Sequence, residues 1–312
     1  MKRILVTAVG GDIGYGVIKA IKASNHDLYI IGCDIKKYNI SYDLVDEFYV
    51  CPAYRNIEQW TDFMLDMIAK KEVDFFWPVT EPEIKIISQN QTAFKDITVI
   101  MNQPNVLKVA MDKGETARYL YENGVLTPKT WLTIPQDENK YPMIVKEKFG
   151  CGSHSVALVN NIDELKQSFA EMESPILQEY IGDKSEEYTL TVFSDGSIVN
   201  SIAFKRELGF GGMSRYVELS HDKKLYDIAD KIAGMFDLHG SINVQLRKVN
   251  EDYYVFEINP RISSTMGFRM LLGFNDVAWW IDMLEKKEVE KYKEPEGEVF
   301  GARTVEEKIF RG

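Results

Sequence analysis

Residues 240–264 read GSINVQLRKVNEDYYVFEINPRISS and set oxygen-bearing side chains at regular intervals in a chain of 312 residues. The turn-forming VNED at 249–252 separates two runs in which apolar and polar residues alternate, the pattern of a β-hairpin. If Gln245 stands opposite Glu257, Asn243 stands opposite Asn259, and period-two alternation puts all four on one face. Val244, Leu246, Phe256 and Ile258 then share the other face. Amide and carboxylate oxygens gathered on one patch suit a hard cation such as Mg²⁺, which usually shares its ligands with substrate phosphates. Arg261 follows Asn259 and Pro260, close enough along the chain to reach a phosphate on such an ion with its planar fork. A solvated polar face would also alternate. The order E-x-N-P-R after a glutamine-bearing strand favours the functional reading.

That order resembles the metal-binding hairpin of the ATP-grasp superfamily, particularly the synthetase half-domains of the carbamoyl-phosphate synthetase large subunit, where NVQ and E-x-NPR recur. The resemblance covers essentially the whole chain. It implies that Gln245, Glu257 and Asn259 hold Mg²⁺, as two ions with Mn²⁺ as a substitute, and that Arg261 contacts the transferring phosphoryl group. Lys113, in AMDKGETARYL, falls where the family places a phosphate-binding base. Lys146, on MIVKEKF, corresponds to the base on the α and β phosphates of ATP. The loop Gly150–Ser155, with Gly150, Gly152 and Ser153, would close over the γ phosphate, its backbone N–H groups suiting phosphate oxygens. Cys151 and His154 stand in this loop where relatives often carry Gly or Ser. ILQEYIGDKSEEYTL resembles the adenine hinge: backbone groups of Glu179, Tyr180 and Ile181 would read the base, with Gln178 or Glu179 adding a side-chain contact. Glu187, or Glu186 beside it, would hold the ribose hydroxyls.

Other elements must position these groups. Ile4–Thr7, the glycine turn AVGGDIG, a helical pattern over 16–23 and the strand LYIIGCD form the opening of a parallel α/β unit. Gly10, Gly11, Gly14 and Gly16 never give the i, i+2, i+5 spacing of a dinucleotide fingerprint. The turn therefore reads as a close helix–strand packing, or as an anion or substrate site at the helix N-terminus, rather than an NAD site. Helices at 60–70 and 83–91 alternate with strands at 73–79 and 97–102, and NQPNV (102–106) marks a boundary. Beyond it, a helix at 108–122 leads to a strand at 141–149, the strand VALV and a helix at 162–173, and then to strands at 175–181, 187–194 and 197–205 joined by short turns. This implies an antiparallel α+β domain. The expected architecture is an α/β N-terminal domain with a parallel sheet over 1–105, the pre-ATP-grasp domain of the resemblance. An α+β ATP-grasp domain with an antiparallel sheet follows over 106–312. Within it, a lid-like subdomain spans about 115–185 and the metal and phosphate lobe about 186–312.

Composition narrows the function classes. Thirty-seven basic and 48 acidic residues give a net charge of −11, which argues against a nucleic-acid binder with a basic face. Three cysteines without CxxC spacing fit free thiols in a reducing cytoplasm. No apolar run reaches the length of a membrane span, and the first residues do not resemble a signal peptide. FKRELGFGGMSRYVEL sets Lys205, Arg206 and Arg215 around a glycine turn, where they could grip a substrate carboxylate or acyl phosphate. Glu81, in PVTEPE at the carboxyl edge of an N-terminal strand, could meet a substrate amino group.

The resemblance thus implies an ATP-dependent carboxylate-amine ligase with ATP and Mg²⁺. Its partners would be small carboxylate and amine substrates, with neither nucleic acid nor membrane, and it allows a homodimer. A kinase-type grasp enzyme and a non-catalytic nucleotide-binding protein are the alternatives.

Overall fold

The computed structural model describes residues 1–136, 140–150, 156–304 and 308–309. The chain divides into two compact units. The first opens with β1 (Lys2–Val6), α1 (Asp12–Lys22), β2 (Leu28–Asp34), β3 (Glu47–Val50), α2 (Ile57–Lys70), β4 (Phe75–Trp77), α3 (Glu81–Gln89) and β5 (Thr98–Val99). These strands pair in parallel in the order β3-β2-β1-β4-β5. Period-two and period-3.6 apolar residues meet in a core that includes Leu5, Ile31, Trp60, Met64, Phe76 and Ile87. Capping fixes α3: the Thr80 hydroxyl and the Glu83 carboxylate satisfy each other's backbone amides, with Pro82 in the first turn. The glycine turn is a packing device. A Cβ on Gly14 would stand 2.2 Å from the Ala8 carbonyl oxygen, so only glycine lets α1 start this close to β1.

The second unit runs from Gln103 to Pro260. It contains α4 (Pro104–Ala110), α5 (Lys113–Glu122), β6 (Thr130–Trp131), β7 (Met143–Glu147), β8 (Val156–Val159), α6 (Ile162–Glu171), β9 (Pro175–Glu179), β10 (Glu187–Asp195), β11 (Val199–Leu208), β12 (Ser214–Leu219), α7 (Lys223–Phe236), β13 (His239–Val249) and β14 (Asp252–Asn259). The single helix expected over 108–122 is two. Met111 closes the first and Asp112 caps the second, accepting from the Gly114 and Glu115 amides at 3.0 Å each. Two antiparallel sheets follow. The smaller has the order β6-β9-β7-β8, with Met143, Val145, Leu165 and Leu177 in its core. The larger is β14-β13-β10-β11-β12, extended by a late strand named below. One face of it packs Leu190, Val192, Ile242, Val244, Leu246, Val255 and Ile258 against Leu225, Ala229, Ile232 and Phe236 of α7.

The chain then leaves this unit, where an unbroken second domain to residue 312 was expected. Arg261–Pro295, with α8 (Met266–Leu271) and α9 (Asp276–Leu284), belongs to the first unit. Trp280 meets Trp77 edge-on at 5.8 Å between ring centroids, Asn275 donates to the Ala20 carbonyl at 3.0 Å, and Glu285 pairs with Lys2 at 2.8 Å. Glu296–Arg303 returns to the second unit, where β15 (Phe300–Ala302) pairs with β12. Among the described residues no helix is long and apolar enough to cross a membrane.

Candidate functional site

The hairpin has the register expected from its sequence: Gln245 stands opposite Glu257 and Asn243 opposite Asn259. One apolar assignment changes. The register shifts after Gln245, so that Leu246 faces Val255 and Phe256 is an extra residue in β14. This bulge brings Val255 into the core, wholly buried, while Phe256 stays half-buried beside Glu257. Phe256 therefore lies off the apolar face, and its ring meets the cations of Lys146 and Arg247, 5.9 and 5.6 Å from its centroid. Asn243 is a support. Its Oδ1 accepts from the Thr189 hydroxyl at 2.6 Å, fixing β13 on β10. Gln245, Glu257 and Asn259 remain as the oxygen donors of the edge pair. Among the described residues no group of three or more His, Cys, Asp or Glu side chains could hold a metal. One carboxylate with two amides is a weak hard-ion site by itself and fits an ion that takes its remaining ligands from phosphates.

Lys146 is 5% exposed, with Nζ donating to Gln178 Oε1 at 2.8 Å and to the Phe256 carbonyl at 3.3 Å. Burial pushes its pKa down to about 8; the Glu257 carboxylate opposes that shift, and the cations Lys113 and Arg247 reinforce it. An ammonium so poised gains charge stabilisation from any polyanion that arrives. Gln178 is engaged at both ends, since its Nε2 donates to Thr130 Oγ1 at 2.9 Å. It thereby orients Lys146, with one lone pair and one N–H of the amide still to spare. Lys113 is the first residue of α5, and its Nζ donates to the Gly150 carbonyl at 2.5 Å. Cys151, Gly152, Ser153, His154 and Ser155 lie outside the described residues.

The residues expected to read the base, Glu179–Ile181, begin with the last residue of β9. Glu179 N–H donates to the Lys129 carbonyl at 2.9 Å. The Ile181 carbonyl accepts from Arg247 Nη1 at 3.0 Å, and the Tyr180 ring lies 5.7 Å from the Arg247 guanidinium. Glu187, expected to hold ribose, is 7% exposed and bound by two arginines. Arg206 reaches its Oε1 at 2.7 Å and Arg247 its Oε2 at 2.9 Å. Glu186 pairs instead with Lys205 at 2.5 Å. Strand alternation explains the split: Lys205 and Arg206 are successive residues of β11 and point to opposite faces. Arg215 is exposed near the sheet edge, stacked on Tyr216 at 5.1 Å. The basic trio is thus not one grip.

In the first unit Arg261 Nη2 pairs with Glu81 Oε1 at 2.9 Å, both side chains largely covered. Nearby chemistry is structural. Asp34 accepts from the Gly10 and Lys36 amides at 2.9 and 3.0 Å, which ties the glycine turn to β2. Glu83 is held by Thr7 and Thr80 at 2.8 Å each, and its burial raises its pKa. Sequence reasoning missed Arg247. Its signal was a cation two residues after Gln245 on the same strand face.

A parallel α/β unit and an antiparallel unit bearing this hairpin define the class, a two-part nucleotide-binding grasp protein. Residues 110–265, half of the chain, match the ATP-grasp domain model, and residues 4–101 match the PylC-like N-terminal domain. The chain belongs to the ATP-grasp family. Among curated relatives, the carbamoyl phosphate synthase large chain of Micrococcus luteus is 21% identical over 286 residues, covering 80% of this chain and 24% of that one. The C-terminal section of the Aquifex aeolicus large chain is 22% identical, covering 83% and 52%. The chain spans only about a quarter of the length of most such relatives. Solved structures show the fold. The biotin carboxylase domain of Hydrogenobacter thermophilus 2-oxoglutarate carboxylase, in complex with MgADP, ADP and bicarbonate, has a TM-score of 0.76 at 16% identity, over 97% of this chain and 74% of that one. N5-carboxyaminoimidazole synthetase from Staphylococcus aureus, complexed with ADP, has 0.73 at 16%, over 93% and 79%.

Proposed function

We propose that the chain is an ATP-dependent ligase that activates a carboxylate as an acyl phosphate for attack by an amine, releasing ADP and phosphate. The observation that carries this reading is the β13–β14 register, which sets Gln245 across from Glu257 with Asn259 two residues along. Lys146 is buried against the same strand. A carboxylate resists amines because oxide is a poor leaving group, and phosphorylation supplies a better one.

In this reading Lys146 and Lys113 hold the polyphosphate and neutralise charge as the γ phosphoryl moves. Gln178 keeps the Lys146 ammonium in place. Backbone groups of Glu179–Ile181 read the base, and Glu187 faces the ribose. Gln245, Glu257 and Asn259 would hold Mg²⁺, as two ions with Mn²⁺ able to replace them, and the bound metal would supply Lewis-acid stabilisation of phosphoryl oxygens. Arg261 is assigned to the transferring phosphoryl group. Glu81, which pairs with Arg261, is assigned to the amino group of the substrate. Lys205, Arg206 and Arg215 were candidates for the acid; Arg215, the exposed one, keeps that assignment best. The residues from 115 to about 185 are assigned to the lid and the larger sheet to the metal lobe.

A screen of ADP release against carboxylate and amine pools, with mass detection of products, tests the reading. ADP formation that needs both pools, with an amide as product, is the expected result. ADP formation that needs no amine and yields a phosphorylated acid would favour the kinase-type alternative, and release indifferent to every acid would end the ligase reading.

A further inference from the structure

We propose that Arg247 is the positioning residue that sets the nucleotide-base hinge and decides how sharply it distinguishes adenine from guanine. This rests on the reading of Glu179–Ile181 as the hinge. Arg247 lies on β13, two residues beyond Gln245 and on the same face, next to Glu187 of β10. Its guanidinium makes two directed bonds, Nη1 to the Ile181 carbonyl at 3.0 Å and Nη2 to Glu187 Oε2 at 2.9 Å. Tyr180 and Phe256 flank it, with ring centroids 5.7 and 5.6 Å away. A planar fork held by two aromatic rings and two acceptors has little freedom left.

The hinge also leans on the arginine's stem. Gly182 has a φ of +57°, and a Cβ there would stand 3.0 Å from the Lys248 carbonyl oxygen and 3.1 Å from Arg247 Cγ. Residues 180–182 are therefore seated on β13 by close backbone approach as well as by the guanidinium. One side chain thus joins three parts assigned to the nucleotide: the base hinge, the acid facing the ribose, and the strand that carries Gln245.

The chemical consequence is base selectivity. A backbone carbonyl accepts two hydrogen bonds, so the bond from Arg247 fixes the direction of the Ile181 oxygen and leaves capacity for one more N–H. Adenine offers an exocyclic amino group at its 6 position, where guanine carries an oxygen that such a carbonyl repels. A fixed carbonyl discriminates strongly; one free to turn away does not.

The test is to titrate MgATP and MgGTP into the wild-type chain, Arg247→Met and Arg247→Lys for Kd by calorimetry, and to measure KM and kcat for release of ADP or GDP respectively. Arg247→Met keeps the stem against Gly182 but removes both donors. The expected result is a KM and Kd for ATP raised about tenfold or more, the size of a lost hydrogen bond to a charged group. The expected kcat is nearly unchanged, and the ATP-over-GTP preference narrows. Arg247→Lys should recover part of the affinity, since an ammonium cannot span both acceptors. Should Arg247→Met fail to fold, Gly182→Ala displaces the hinge from the opposite side and must give the same KM-selective loss. Unchanged ATP affinity and unchanged base preference in the variants overturn the inference. A fall confined to kcat would do so too. A wild-type chain that binds no MgATP would instead sink the nucleotide reading on which it rests.

Discussion

Glu257 is the residue on which the chemistry turns. It is the carboxylate among three candidate metal-binding side chains, and it faces Gln245 across the hairpin. Glu257→Gln preserves shape while removing charge. ATP should still bind in calorimetry, and ADP formation should fall about 10²–10³-fold, the usual effect of losing one charge-stabilising contact. Near-normal turnover would make the hairpin structural. Lys146 supplies a pH signature. Burial lowers its pKa from 10.5 to about 8, so free protein loses the ammonium above pH 8 while bound polyphosphate would restore it. Affinity for ATP should therefore be level below pH 8 and weaken up to about tenfold per pH unit above it. Lys146→Gln should abolish that slope; a wild-type profile flat to high pH would show that the lysine does not serve the nucleotide. The same shift has a stability consequence of opposite sense. The unfolded chain binds the extra proton between the two pKa values, so the cost of burying the ammonium is full below pH 8 and fades toward 10.5.

The hairpin shows what a sequence discloses about an element and what it hides. A turn at VNED and strict alternation were enough to give the pairing of 245 with 257, because a one-residue slip would have moved every apolar residue to the wrong face. The bulge at Phe256 was not legible. An inserted residue breaks alternation locally, and FEIN reads equally well without it. Nor was the role of Arg247, whose partners Ile181, Glu187 and Tyr180 lie some 60 residues away and meet it only once β9, β10 and β13 converge. The different partners of Lys205 and Arg206 were hidden for the same reason: proximity in sequence said nothing about which face each cation would take. At this scale the apolar side of the hairpin is testable. Leu246 is wholly buried between β13 and α7, so Leu246→Ala should lower stability by about 2–5 kcal/mol in urea unfolding. Lys248→Gln, whose ammonium is 3.8 Å from Asp222, should change neither stability nor turnover appreciably. Equal effects from the two substitutions would mean that the hairpin's apolar face is not what anchors it.

At the scale of the whole molecule, the two classes of sheet were visible in the order of apolar runs, parallel α/β first and antiparallel after. The path of the chain was not. Local periodicity cannot reveal that 261–295 packs with residues hundreds of positions earlier, as Asn275 does with Ala20 and Glu285 with Lys2. That path makes the first unit dependent on the end of the chain. A version ended after Pro260 would lack the Trp280 ring against Trp77 and the ion pair at Lys2. Limited proteolysis should cut such a version readily within residues 1–102, while the full chain resists there. Equal resistance would show that the first unit is complete without its returning helices.

The same returning helices impose an order on biosynthesis. The ribosome delivers residues 1–102 first, yet about 180 more residues must emerge before α8 and α9 exist to cover them. At typical translation speeds the interval is roughly 9–36 s, long compared with the collapse of either sheet. Trp77 and its neighbours face the nascent-chain environment throughout that wait, exposed to chaperones or to other unfinished chains. The antiparallel unit has every strand but the edge strand β15 in hand by the time Pro260 appears, so the part made first waits longest for its cover.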